Sequence, residues 1–381
     1  MDISFFQHYW WALVSLLGAL LVFLLFVQGG QSLLFFTAKT EQQKSLLVNL
    51  LGHKWELTYT TLVTFGGAIF ASFPLYYATS FGGAYWLWIT ILLLFVIQAV
   101  SYEFRSKAGN LLGKKTYDIF LFLNGFLGTV MLGVAVGTFY TGGAFTMNKM
   151  ALTQTAAPVI SQWSNGWHGL DALAHPFNLL MGVGVYLAAA TLALLFFFQS
   201  VDDAHIKERA RTLVTVIGTA FVLGFVVLLT CLFCLKGYSV NPDTGAITAE
   251  RFKYLFNMIE LIWPAIILLA GVVLVLWGLG SVIFGKGKYS FWLTSVGVVL
   301  AVFPLLLVAA YNNTAYFASK VNIQHSLTLQ NSSSSLFTLK VMSIVSLLIP
   351  FVLAYIAYVW YKLTAKPISK EDLESPDATV Y

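Results

Sequence analysis

The sequence predicts an all-α integral membrane protein with nine transmembrane helices. They form two four-helix bundles plus one peripheral helix, with the N-terminus outside and the C-terminus inside. Three observations carry this. The 381 residues are 59% hydrophobic and only 10% charged, where a soluble domain carries about 25% charged residues. Nine apolar runs approach or exceed the roughly 20 residues that a helix needs to cross a bilayer. The Lys and Arg of the connections fall mainly on one side, as cytoplasmic loops require.

Run 1 covers 10–36 and closes on Gln28-Gly29-Gly30-Gln31; the glycines allow close helix approach, and the amides can bond across it. Run 2, at 57–78, opens behind Trp55-Glu56 and contains Pro74. Run 3, at 84–103, carries Gln98 and ends in Ser101-Tyr102-Glu103-Phe104-Arg105-Ser106-Lys107. Run 4 is 117–140. Run 5, at 173–199, lies behind Trp163, Trp167, His168, Asp171 and His175, an aromatic-belt anchor at its mouth. Run 6, at 212–235, includes Cys231 and Cys234, expected to be apolar packing rather than a redox or zinc pair. Runs 7, 8 and 9 are 261–284, 290–311 and 338–361, with Pro264, Pro304 and Pro350. Proline is tolerated in a bundle where neighbours satisfy the freed carbonyls.

Fifteen Lys and Arg follow odd-numbered runs or lie in the tail, against five in the remaining connections. This places the N-terminus outside and the C-terminus inside, and it agrees with an odd number of spans. The first Lys or Arg is Lys39, so no basic region precedes run 1 and a signal peptide is not expected. The small net charge of +5 reflects this topology rather than nucleic-acid binding. A faint repeat links the end of run 1 (LLFVQGGQ) with the end of run 5 (LLFFFQS), each followed by a charged linker. It divides the chain into a first four-helix unit at 1–140, a second at 141–311, and a ninth helix with a cytoplasmic tail at 312–381.

Haem in a membrane protein hangs on His or Met from facing helices. The six histidines, at 8, 53, 168, 175, 205 and 325, all lie in loops or near run ends, so no haem is expected in this chain. Met131 and Met181 lie deeper and read as packing. No phosphate-binding glycine loop, metal cluster or nucleophile motif is present. Intramembrane polar residues remain, since lipid makes them costly unless they are paired or functional. Glu56 opens run 2, and helical spacing sets Tyr59, Thr60 and Thr64 on its side of the helix. A carboxylate followed by hydroxyls can pass protons through water. An acid in a first turn is equally explained by the helix dipole. Glu103 and Arg105 can likewise be interface anchors.

Several segments together resemble subunit II of the cytochrome bd-type quinol oxidases, over nearly the whole chain. They are YWWALVSLLGALLVFLLFVQGGQ, HKWELTYTTLVTFGGAIFASFPLYYATSFGGAYW, SYEFRSK, GVAVGTFYTGGAFTMN, HSLTLQNSSSSLFTLKVM and the tail ISKEDLESPDATVY. The resemblance implies two four-helix bundles and a peripheral helix. It also implies a partner, subunit I, which carries three haems and oxidises quinol while dioxygen is reduced to water. This chain would be the haem-free half, supporting subunit I and lining part of a cytoplasmic proton route. A structural quinone held as a lipid-like ligand is also known in the family, and the resemblance leaves small accessory subunits open. Trp55-Glu56 matches a Trp-Asp pair whose acid belongs to the proton route, here one methylene longer. Glu103 matches a second acid, and Tyr381 a terminal tyrosine held at the inner face.

There are departures from the pattern. Where relatives carry two acids around the run 1 glycine this chain has Gln28 and Gln31, and where they carry an arginine it has Gln98. An unpaired buried charge costs several kcal/mol, so loss of one partner favours loss of the other, and an amide pair is expected in place of an ion pair. Thr61 stands where some members place an aromatic at an oxygen entrance. A membrane transporter subunit built from repeated helices is the alternative function, but it calls for broken helices with polar pairs at the midplane. A pure scaffold is a third reading.

Overall fold

The computed structural model describes residues 2–107, 109–153, 159–363 and 367–368. Its principal helices, in chain order, are α1 Ile3–Ser32, α2 Glu41–Gly52, α3 Trp55–Ser72, α4 Tyr85–Phe104, α5 Lys114–Thr141, α6 Pro176–Ser200, α7 Ala204–Cys234, α8 Lys253–Leu261, α9 Trp263–Phe284, α10 Ser290–Val308 and α11 Leu336–Lys362. Among the described residues, eight are long and apolar enough to cross a membrane, namely all but α2, α3 and α8. The sequence predicts nine spans, and the difference is α3. It has 18 residues, about 27 Å at 1.5 Å per residue, and its apolar character is diluted by Glu56 and a series of threonines. It stops at Phe73 because a residue before proline is driven out of the helical region. From Pro74 the chain continues in short helical turns to Gly82.

The connections gather at two ends, as alternate crossings require. At one end, Trp163 Nε1 donates to Thr79 O (2.8 Å), and His168 Nδ1 lies 3.1 Å from Gly83 O while its ring stacks on Tyr85. There too Gly143 bridges to Ser319 and Ser239 to Thr314, joining the connections after α5, α7 and α10. At the other end Gln43 Nε2 donates to Asp203 Oδ1 (3.1 Å), and Arg211 donates to Ile283 O (3.1 Å).

Two short hairpins stand outside the all-helical expectation. β1 Phe145–Met147 pairs antiparallel with β2 Ser161–Trp163, and β3 Lys236–Val240 with β4 Ile247–Arg251. The second turns through Asn-Pro-Asp-Thr-Gly, with Gly245 at φ 68°, a conformation open to glycine. Both lie in connections, where water satisfies strand edges that lipid would not.

Helix α6 packs against α1 and α5, α10 against α1 and α9, and α11 against α1. The α1–α6 crossing depends on Gly29, where a Cβ would come within 2.2 Å of the Ala189 backbone. Nearby, Phe26 stands 4.8 Å from Phe196 and 5.3 Å from Phe291 by ring centroids. Edge-on pairs of this kind each add about 0.5–1.5 kcal/mol beyond burial. Met131 and Met181 are buried in the core. Cys231 and Cys234 are free thiols on the exposed side of α7 rather than in the core.

Candidate functional site: a buried amide seam beside an exposed acidic stripe

The C-terminal ends of α1 and α4 meet through amides. Gln28 Nε2 donates to Gln98 Oε1 at 2.8 Å, and both side chains are fully buried. One turn on, Gln31 Nε2 donates to the Tyr102 hydroxyl at 2.9 Å. The Tyr102 ring lies parallel to Trp55 of α3, with centroids 5.9 Å apart and planes at 12°. The structure thus brings Gln28, Gln31, Gln98 and Trp55 into one seam between α1, α3 and α4.

Helix α5 closes the seam with a widened turn, Asn124–Gly128, packed on both α1 and α4. Such single wide turns recur at functional positions. Asn124 is fully buried, and neither its Oδ1 nor its Nδ2 has a partner among the described residues. The same holds for Gln28 Oε1, Gln31 Oε1, Gln98 Nε2 and Trp55 Nε1. A buried polar atom left unpaired costs about 1–3 kcal/mol, so this mixture of donors and acceptors calls for internal water. Asn124 is missing from the sequence reading because one asparagine in an apolar run has no spacing signal. Its neighbour Gly125, whose added Cβ would fall 2.4 Å from Gln28 O, is the local clue.

Below the seam lies an ion cluster. Arg105 Nε donates to Asp118 Oδ1 at 2.6 Å, and both side chains are buried. Lys44 Nζ reaches Asp118 Oδ2 at 3.3 Å and Glu41 Oε1 at 2.6 Å, while Arg105 Nη1 donates to Ser45 Oγ at 3.2 Å. The hydrogen bond from Lys44 draws the Glu41 carboxyl below its ordinary range. Arg105, read from sequence as an interface anchor, is instead a buried ion partner. Asp118 sits in the first turns of α5, where the sequence shows only an isolated acid.

The proton-route candidates on α3 divide between two faces. Glu56, Thr60 and Thr64 form an exposed stripe. Tyr59, expected on the same face, is half-buried against Phe95 at 6.1 Å. Three residues turn a helix by about 300° and four by about 400°, so Tyr59 and Thr60 fall on opposite flanks of Glu56. The threonine hydroxyls are also committed: Thr60 Oγ1 donates to Glu56 O and Thr64 Oγ1 to Thr60 O, each at 2.7 Å. Glu103 is exposed and pairs with Lys107 at 2.7 Å. Tyr381 lies outside the described residues.

Lys54, immediately before α3, is 2% exposed. Its ammonium sits over the Phe196 and Trp360 rings at 5.4 and 5.7 Å, and burial pushes its pKa down to about 8. No group of three or more His, Cys, Asp or Glu among the described residues could hold a metal ion. An apolar cavity of about 210 Å³ opens among the helices, lined by residues such as Val22, Leu62, Tyr140 and Val302. Its polar side groups are already engaged: Tyr140 OH donates to Leu305 O (2.9 Å), and Trp88 Nε1 to Ser80 Oγ (3.3 Å).

Comparison with known proteins agrees with this architecture. The family model described as "Cytochrome bd terminal oxidase subunit II" matches residues 6–363. The chain is 26% identical, over the full length of both, to "Cytochrome bd-I ubiquinol oxidase subunit 2" of Escherichia coli strain K12. It is also 26% identical to "Cytochrome bd ubiquinol oxidase subunit 2" of Bacillus subtilis, over 89% of each chain. The fold is similar to a chain in the structure of bd oxidase from Geobacillus thermodenitrificans, with a TM-score of 0.64, 16% identity, and coverage of 93% of this chain and 98% of that one.

Proposed function

Because the chain belongs to the cytochrome bd terminal oxidase subunit II family, we propose that it is the haem-free second subunit of a quinol oxidase in the bacterial inner membrane. It supports a haem-bearing subunit I, which holds the three haems, in the oxidation of quinol and the reduction of dioxygen to water. The chain acts as part of an oxidoreductase complex of aerobic respiration, and its histidines, all in loops or near helix ends, suit a subunit without a redox centre. The nine spans are the eight long helices together with α3. They group as two four-helix units, 1–140 and 141–311, and a ninth helix with its tail from 312. The N-terminus lies outside and the C-terminus inside, consistent with the excess of Lys and Arg in the connections at the Arg105 end.

The observation that carries the proton-uptake role is the stripe of Glu56, Thr60 and Thr64, exposed on the isolated chain. A carboxylate facing lipid is costly, so this face of α3 is the one that subunit I covers. Glu56 then stands at the cytoplasmic mouth of a water-filled route between the subunits. Trp55 holds the α3 end against Tyr102, and Tyr59, Thr60 and Glu103 flank the mouth. The threonine hydroxyls, donating to their own helix, offer oxygen lone pairs to waters rather than a hydroxyl relay. Any structural quinone lies with its tail in the central apolar cavity, and small accessory subunits would add to the outer faces.

Purification through a tag on this chain tests the proposal. A haem-bearing membrane subunit should come with it, giving reduced-minus-oxidised haem bands. A colourless preparation without a partner would overturn the oxidase role.

A further inference from the structure

At the inner end of α1 the chain leaves the membrane through Phe35 and Phe36, which are 41% and 55% exposed. They face one side of α7, where His205, Glu208, Arg209 and Thr212 recur at helical spacing. Between them lies a surface cavity of about 480 Å³, into whose lining Lys39 and Ala38 also enter. Arg209 Nε donates to Phe36 O at 3.1 Å. That bond fixes the guanidinium at the rim and leaves its two terminal nitrogens without an acceptor among the described residues. The Lys39 ammonium has no ion pair there either, and His205 Nε2 is buried without a partner. The neighbouring acid Asp203 is occupied, accepting from Ile206 N and Gln43 Nε2, both at 3.1 Å. Glu208 supplies a carboxylate to the lining, which against Lys39 and Arg209 leaves one net positive charge.

We propose that this cavity binds the phosphate of an anionic phospholipid. Lys39 and the two terminal nitrogens of Arg209 donate to the phosphate oxygens, as charge-assisted forks do. His205 Nε2–H is a third donor, and the acyl chains run along Phe35 and Phe36. The exposed rings distinguish a lipid from a free anion: a site for dissolved phosphate has no use for two aromatic side chains at its lip. Basic pockets between helices at the cytoplasmic face take anionic headgroups in this way. Glu208 selects by repulsion for a headgroup whose charge is confined to the phosphate.

The test uses the purified complex in nanodiscs of phosphatidylglycerol or phosphatidylcholine, followed by native mass spectrometry of retained lipid. The wild-type complex should keep one more phosphatidylglycerol than the Lys39→Ala/Arg209→Ala variant. The variant's affinity should fall roughly fivefold per cation removed, about 25-fold for the pair. A charge-conserving Lys39→Arg variant should retain the lipid. Equal retention by wild type and double variant would overturn the proposal. So would equal retention of phosphatidylcholine, or displacement of the lipid by inorganic phosphate at matched concentration, which would mark a free-anion site.

Discussion

Gln28 and Gln98 meet amide to amide across the α1–α4 crossing, 2.8 Å apart and fully buried. The bond is neutral where an ion pair would have to be desolvated on both sides. Gln98→Leu leaves the Gln28 amide without its partner and should cost about 1–3 kcal/mol. Gln28→Leu/Gln98→Leu should cost less than the sum of the single changes. A double-mutant cycle on thermal unfolding of the purified complex reads the coupling, and strict additivity would remove the bond from any stabilising role. Gln98→Arg alone should impair assembly, and Gln28→Glu in the same chain should restore it.

Glu56→Gln should slow oxygen consumption in membranes severalfold while the haem spectrum stays unchanged. Thr60→Val and Thr64→Val should change turnover less than twofold, because both hydroxyls already donate to carbonyls of their own helix. Oxygen-electrode rates normalised to haem content separate the cases. A threonine effect as large as that of Glu56 would restore the hydroxyl relay, and no effect of Glu56→Gln would leave this chain a scaffold.

Asp118 accepts from Arg105 at 2.6 Å, and both side chains are buried. Removing one partner of a buried pair leaves an uncompensated charge and costs about 3–5 kcal/mol. Asp118→Ala should therefore sharply lower the yield of assembled complex. Arg105→Met/Asp118→Leu removes both charges and should recover much of it. Size-exclusion profiles of the tagged complex measure this, and a double variant as poor as the single would point to the lost contacts with Lys44 and Ser45.

Eight of the nine expected spans were legible because apolar length is a property of the chain alone. The Gln28–Gln98 meeting was legible for a related reason: two amides in adjacent apolar runs have few partners other than each other. Asp118 and Asn124 were not, because their importance comes from what another helix brings to them. The orientation of Tyr59 was misread since a spacing of three places a residue near a face but does not say which neighbour claims it; Phe95 does. The small hairpins escaped notice because they lie in short connections whose strand pattern spans only three to five residues.

Lys54 offers a test that depends on the sign of its shift. Burial pushes its pKa from 10.5 to about 8, so the folded protein resists a proton that the unfolded chain accepts. Between these values the unfolded state binds more protons, and stability rises with pH. Below about pH 8 the penalty is fully present, of order 3 kcal/mol from a shift of this size, less what the Phe196 and Trp360 rings return by cation–π attraction. Lys54→Met keeps the apolar stem and removes the charge, so at pH 7 it should raise the thermal midpoint of the complex. The advantage should narrow as pH climbs from 8 towards 10.5, where the wild-type lysine is neutral in both states. Thermal scans of both proteins across that range measure it. A variant that is less stable at pH 7 would mean that the two rings and an anion from the partner hold Lys54 charged.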